Sequence, residues 1–192
     1  MAFIRSRPTA ASLIAVEMVP VIFLGHTFSS LLPVFVTEVL RTDELGYAFL
    51  LAGSGAGALV AAVWLAYVSE LRRKGLVILA AASVEVAAVL VFALSTSYAL
   101  SVALMVAVGA ATVVTQALTN TTLQLAAPDR LRGRVMGAYS FGTQGMRVVN
   151  GPLLGTLALV FGAPLAVAGS AAAVLAVLVA IGLSVPQLRA VD

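Results

Sequence analysis

The sequence contains no cysteine and only one histidine, and these absences exclude several kinds of chemistry. Without cysteine the chain has no disulfide, no thiolate metal site and no thiol nucleophile. The single His26 cannot form a His-pair metal motif, and neither H-E-x-x-H nor G-x-S-x-G occurs. We therefore expect no enzyme activity, no bound metal and no cofactor.

Charge is also scarce along the chain. Only 10% of the 192 residues are charged and 61% are hydrophobic, whereas a soluble domain is about a quarter charged and about half apolar. This composition predicts an integral membrane protein in contact with the lipid bilayer. The net charge of +3 comes from basic residues in short loops between apolar runs, so we expect no nucleic-acid partner.

Six apolar segments are long enough to cross a bilayer, which takes about 20 residues. Pro20 and Pro33 are expected to kink the first of them. The fold class predicted is an all-α membrane protein with a single six-span domain, in which short loops make consecutive helices antiparallel neighbours. The predicted spans are residues 9–40, 46–68, 75–94, 98–127, 135–161 and 164–185.

The basic residues also predict an orientation. Short cytoplasmic loops carry an excess of Lys and Arg. If the predicted loop 128–134 is cytoplasmic, both termini and the loop after the second span lie on the same side. Of the basic residues in the loops and termini, the opposite side then has only Arg41. The cytoplasmic side has the other nine, which are Arg5, Arg7, Arg72, Arg73, Lys74, Arg130, Arg132, Arg134 and Arg189.

Three ionisable residues, Glu17, Glu85 and Arg147, lie deep within predicted spans. A charge at the bilayer centre costs about 2.5–3.5 kcal/mol on insertion scales, so each residue is a functional candidate. Glu17 either binds and releases a proton, or it snorkels to the membrane surface or pairs with Arg147. Arg147 either binds an anion or a substrate or is the charge partner of a titrating carboxylate, or it forms a structural ion pair between helices. A structural pairing is favoured for Glu85.

Amide side chains form two further candidate groups. Gln116, Asn120 and Gln124 recur every four residues on the predicted fourth span, and Gln144 and Asn150 flank Arg147 at three-residue spacing. Residues at such spacings share a helix face. Thr112 and Thr119 add to the polar flank of the fourth span. The amide side chains either line a substrate cavity or form hydrogen bonds between helices. Three glycine pairs at G-x-x-x-G spacing indicate close helix packing: Gly53 with Gly57, Gly133 with Gly137 and Gly151 with Gly155.

The segment Pro128-Asp129-x-x-Arg132-Gly133-Arg134-Val135-Met136 resembles the loop joining the fourth and fifth spans of one half of a major facilitator superfamily transporter. Residues 28–35 and 52–59 are similar to the seventh and eighth spans of these transporters. The resemblance covers the whole chain as a C-terminal six-helix half. The branch that the chain resembles is that of the enterobactin-exporter-like and macrolide-efflux-like permeases.

The loop after the second span departs from the superfamily signature, which reads approximately G-x-x-x-D-R-x-G-R-R. Glu70 stands near the acidic position, and Arg72, Arg73 and Lys74 stand near the basic ones. Residues 66–74 contain no glycine at all. The resemblance implies that this loop and Asp129, Arg132, Gly133 and Arg134 form cytoplasmic motifs. In the superfamily this loop has a gating role, and because the glycine is missing we do not carry that role over to this chain.

The resemblance also implies a function. Such a chain is expected to be half of a secondary active, proton-coupled antiporter that performs efflux of small amphipathic molecules, such as drugs or siderophores, across a bacterial inner membrane. The substrate cavity of this fold lies between two halves. The expected partner is therefore an N-terminal six-helix half or a second copy, and the chain is expected to be a fragment. A non-transport six-span scaffold and an inactive truncated remnant are the alternatives.

Overall fold

The computed structural model describes residues 8–24, 31–68, 71 and 73–184, and within its helices the side chains of residues 8–14, 22, 144 and 146–154 are not described. This part of the chain is all-helical and contains no strand. Residues 31–34 are helical and continue into a short π-helix. The elements in order are α1 (Pro8–Phe23), the π-helix (Phe35–Val39), α2 (Glu44–Tyr67), α3 (Lys74–Leu94), α4 (Tyr98–Ala126), α5 (Asp129–Phe161) and α6 (Ala163–Ser184).

Short polar turns set the ends of these helices. The side chain of Asp43 caps α2 by accepting a hydrogen bond of 3.0 Å from the backbone N–H of Gly46. Between α3 and α4, the Ser95 hydroxyl accepts a bond of 3.1 Å from the backbone N–H of Ser97. Gly162, with φ +83°, turns the chain from α5 into α6, a conformation that glycine adopts without steric cost.

The first predicted span, 9–40, falls on two helical pieces. Pro20 lies inside α1, and Pro33 lies just before the π-helix. A proline removes one intrahelical hydrogen bond, which is a common cause of such an irregularity. His26 and the rest of 25–30 lie outside the described residues, so a single kinked span remains a prediction.

The predicted loop 128–134 is wrong from Asp129 onward, because α5 already begins there. Pro128 is the N-cap residue of α5. The Asp129 carboxylate in the first turn stabilises this helix, because it lies at the positive end of the helix dipole. Hydropathy detects depth in the membrane and not helicity. A helix can therefore continue beyond its apolar segment, and α5 includes the charged residues up to Arg134.

Helix α4 is central to the bundle. It packs most extensively against α2 and α3 and also contacts α1 and α5, while α6 packs on α3, α5 and α1. One main core joins these helices, and its largest fully buried side chains include Phe35 and Phe92. Their ring centroids are 5.4 Å apart at an interplanar angle of 54°, a tilted arrangement that aromatic pairs favour.

Glycine allows the close approach of α2 and α4. A Cβ atom added at Gly57 would overlap the backbone carbonyl of Val106, and one added at Gly109 would overlap the carbonyl of Ser54. The predicted packing role of Gly57 therefore has a partner in α4. Nothing lies within 4 Å of a Cβ added at Gly133, Gly137 or Gly155, so no close packing supports the prediction for those three residues.

Four of the described helices, α2, α3, α4 and α6, are long and apolar enough to cross a membrane. Their outer faces carry exposed large apolar side chains, with Leu59 66% and Val60 67% exposed on α2. Apolar surface of this extent is unfavourable in water and marks a lipid or protein contact. The helices therefore support an integral membrane protein, and the count of six spans remains a prediction.

Candidate functional site

Glu17 is buried between helices. Its side chain on α1 is 5% exposed, and its Oε1 accepts a hydrogen bond from the hydroxyl of Tyr139 on α5. The other carboxyl oxygen, Oε2, has no hydrogen-bond partner among the described residues. The hydroxyl of Thr119 on α4 lies next to this carboxyl. Three helices thus meet at one acidic group that has an oxygen still able to bind a proton.

Glu85 occupies a second polar position, between α3 and α4. The Thr112 hydroxyl lies 2.9 Å from Glu85 Oε1 and 2.8 Å from the backbone carbonyl oxygen of Val108. A hydroxyl has one proton to donate and can also accept. The Thr112 hydroxyl donates to Glu85 Oε1, and the Val108 carbonyl is a second acceptor within its reach, so one proton serves two acceptors.

Threonines connect these two acids along one face of α4. Thr112, Thr115, Thr119 and Thr122 follow one another at spacings of three and four residues, so they share a helix face. We call these four residues the threonine row. The last three are buried, with exposures of 3%, 0% and 7%, and their hydroxyls have no partner among the described residues. Buried hydroxyls without partners are costly, which makes this row a functional candidate.

The predicted amide row lies on the adjoining flank of α4. Gln116 and Gln124 are exposed and Asn120 is half-buried, and Gln124 Nε2 donates a bond of 3.2 Å to Asn120 Oδ1. Helix α4 therefore has a buried face of hydroxyls and an outer flank of amides. The sequence pattern suggested one continuous polar flank that included Thr112 and Thr119, whereas the structure separates the two groups.

The predicted group on α5 is only partly visible. Gln144, Arg147 and Asn150 belong to α5, but their side chains lie outside those described. An ion pair between Arg147 and either glutamate therefore remains a prediction. Tyr139 precedes Arg147 by eight residues, which is about 12 Å along the helix axis. The structure thus assigns a tyrosine hydroxyl to Glu17 and leaves the partner of Arg147 open.

The loop motif of the fourth and fifth predicted spans forms a structural corner. The Arg132 guanidinium contacts the Asp129 carboxylate at 2.8 Å, and Arg132 Nε donates a bond of 3.2 Å to the backbone carbonyl of Gln124. That carbonyl belongs to the last turn of α4, where cations are favoured. Gly133 and Arg134 are exposed. This motif joins α4 to α5 and contains no buried polar site.

In the other loop motif, Glu70 and Arg72 lie outside the described residues. Arg73 is described, and its backbone is left-handed, with φ 59° and ψ 50°. Glycine adopts this conformation most easily. The motif that lacks its expected glycine therefore has an arginine in a backbone conformation suited to glycine.

Sequence reasoning missed Tyr139 and half of the threonine row. Tyrosine is common in apolar helices, and nothing in its neighbourhood on the chain indicates an acid 122 residues away. The alternating spacing of Thr112, Thr115, Thr119 and Thr122 was a usable signal. It shows that hydroxyls recur on one face of an apolar helix from Thr112 to Thr122, although it does not show whether that face is buried.

Apolar helices that hold two carboxyl groups and a row of hydroxyls between them are features of a transporter that handles ions or solutes within the bilayer. The comparison with known families agrees: residues 5–192 match the family model described as transmembrane secretion effector. The chain belongs to this family, which consists of transmembrane transporters of the major facilitator type. No curated protein and no solved structure gives a significant match to the chain.

Proposed function

We propose that this chain is the C-terminal six-helix half of a secondary active exporter that exchanges protons for small amphipathic molecules, such as drugs or siderophores. The observation that carries the proposal is the buried Glu17 carboxyl, held between α1 and α5 by the Tyr139 hydroxyl. We also propose that the transporter belongs to the enterobactin-exporter-like and macrolide-efflux-like branch.

The physical reason is the cost of charge in an apolar bundle. An ionised carboxylate away from water is expensive unless it is paired, and a bound proton removes that cost. If α1 and α5 move relative to each other, Glu17 gains water and can release its proton. Proton occupancy then biases the equilibrium between two arrangements of the helices, which is what coupling requires.

The outer amide flank of α4 supports a partner for this half. Gln116 and Gln124 are exposed on a helix that is otherwise long and apolar, and polar side chains facing hydrocarbon are unfavourable. A cavity shared with an N-terminal six-helix half or with a second copy would place these amides in contact with water and substrate. We further propose that both termini are cytoplasmic in a bacterial inner membrane, because Lys and Arg are concentrated on that side.

The test is uptake of amphipathic dyes into inverted membrane vesicles, whose cytoplasmic face is outside, that contain the full chain, alone or together with a candidate N-terminal half. We expect dye transport driven by a pH gradient with at least one of these compositions, and its loss in Glu17→Gln. Glu44→Gln is the matched control, since Glu44 is exposed at the start of α2. Absence of transport in every composition, with a folded protein, would favour the scaffold or the inactive remnant.

A further inference from the structure

We propose that the threonine row of α4 is a chain of water-binding sites that carries protons between Glu85 and Glu17. The proposed function needs one carboxyl that binds a proton, but it gives no role to the buried hydroxyls. The inference rests on the proposed function only because proton-coupled export is the reason for moving a proton to Glu17. The path itself is argued from the unpartnered groups along α4.

A hydrogen-bond contact fixes one end of the path, and the position of Thr119 beside Glu17 sets the other. At one end Thr112 contacts Glu85 at 2.9 Å. At the other end Thr119 lies next to the Glu17 carboxyl, whose Oε2 has no partner among the described residues. Thr112 and Thr119 are seven residues apart, which is about 10 Å along the helix axis. Thr115 lies between them on the same face.

The spacing of the row fits bridging water. Side chains three or four residues apart on a helix have Cβ atoms about 5–6 Å apart, which is too far for neighbouring hydroxyls to bond directly. A single water between two hydroxyls spans about this distance, because each hydrogen bond is about 2.8 Å long. Buried waters typically bind polar groups that otherwise lack partners, and Thr115, Thr119 and Thr122 are such groups.

Proton transfer along this row is balanced at every step. A proton leaves the Glu85 carboxyl for the Thr112 hydroxyl, which releases its own proton to a bridging water. Each bridging water then releases another of its protons to the next hydroxyl. Each hydroxyl and each water gains one proton and loses one, until the Glu17 carboxylate binds the last. Only O–H bonds form and break, and the net change is one proton moved from one carboxyl to the other.

Few other titratable groups face this path. Helix α5 contributes Tyr139, whose hydroxyl bonds Glu17, and also Arg147, whose side chain is not described. Helices α1 and α3 contribute Glu17 and Glu85 themselves. Helix α6 (Ala163–Ser184) contains no titratable side chain. The one titratable side chain of α4 (Tyr98–Ala126) is that of Tyr98, at the far end of the helix, whose hydroxyl donates a hydrogen bond of 3.0 Å to the Gly46 carbonyl.

The test is hydrogen–deuterium exchange of the two carboxyl groups, measured by infrared spectroscopy on the full chain in liposomes at acid pH. Glu85→Gln and Glu17→Gln assign the two C=O bands. We expect Thr115→Val and Thr119→Val each to slow exchange at Glu85 by about tenfold, which corresponds to about 1.4 kcal/mol in the barrier. Valine keeps the shape of threonine and removes the hydroxyl.

Thr121→Val is the matched control, because the Thr121 hydroxyl is exposed and donates to the Ala117 carbonyl of its own helix at 2.8 Å. We expect wild-type exchange in this variant and in Thr119→Ser, which keeps the hydroxyl. Equal exchange at Glu85 in Thr115→Val, Thr119→Val and Thr121→Val would overturn the proposal.

A measurement without substitution covers the case in which the valine variants fail to fold. In the wild-type chain, the infrared difference between protonated and deprotonated states should contain water bands that shift in H₂¹⁸O, and their absence would overturn the proposal. Dye transport that persists without fast exchange at Glu85 would remove the path and leave the proposed function intact. Fast exchange at Glu85 without dye transport would support the path and contradict the proposed function.

Discussion

Replacement of Gly57 by alanine should separate the two most extensively packed helices of the bundle. A Cβ atom at this position would lie 2.8 Å from the carbonyl carbon and 3.0 Å from the Cα of Val106, and it would overlap the carbonyl oxygen. These are backbone atoms of a helix, so no side-chain rotation relieves the contact. The helices must move apart by about 1 Å or more to restore ordinary contact distances.

The expected cost of Gly57→Ala follows from two opposing terms. Overpacking costs about 1–3 kcal/mol, and we expect the upper end because backbone must move. Alanine in place of glycine within a helix stabilises the helix by up to about 1 kcal/mol, because alanine has the higher helix propensity. At Gly55, where nothing lies within 4 Å of an added Cβ, only the second term acts. The two variants should therefore differ in the free energy of unfolding by about 2–3 kcal/mol.

The assay is the folded fraction in mixed micelles with increasing SDS. Gly57→Ala should unfold at lower SDS than the wild type, and Gly55→Ala at the same or higher SDS. Gly109→Ala should resemble Gly57→Ala, because a Cβ there overlaps the Ser54 carbonyl. The double variant should cost less than the sum, since both changes separate the same helices. Equal stability of the Gly55 and Gly57 variants would refute this packing.

Three further substitutions test local geometry in the same SDS assay. Arg73→Gly should be more stable than Arg73→Ala by about 1 kcal/mol, because only glycine accepts the left-handed backbone freely; equal stability would argue against that conformation. Tyr139→Phe should cost about 1–3 kcal/mol by leaving Glu17 without its donor, and much less in a Glu17→Leu background; an equal cost in both would exclude the bond. Arg132→Ala should destabilise by less than about 1 kcal/mol, and Arg130→Ala by less still, since only Arg132 bonds the last turn of α4; the reverse order would contradict this corner.

The helices could be placed from the sequence wherever a turn residue ends an apolar run. The serines at 95–97 separate α3 from α4, and Gly162 separates α5 from α6. The start of α5 was misplaced because charge was taken to mean a loop, whereas Asp129 and Arg132 satisfy each other on a helix surface. Hydropathy does not distinguish these cases.

The candidate site was only partly predictable. Glu17 and Glu85 stand out in the sequence because a carboxyl is rare in apolar helices. Their partners, Tyr139 and Thr112, depend on which helix faces meet, and that is set by packing between residues far apart in the chain. The glycines at positions 57 and 109 help to set those faces by fixing the approach of α2 to α4.

The most direct test of proton-coupled transport is proton movement in liposomes that contain the purified full chain with the partner composition active in vesicles. An internal pH dye reports protons that enter when an amphipathic substrate is exported. We expect substrate-dependent proton flux in the wild type and in Glu44→Gln, and none in Glu17→Gln despite normal folding. Substrate export that continues without proton movement, or an unchanged proton flux in Glu17→Gln, would contradict the assignment of Glu17 as the coupling carboxyl.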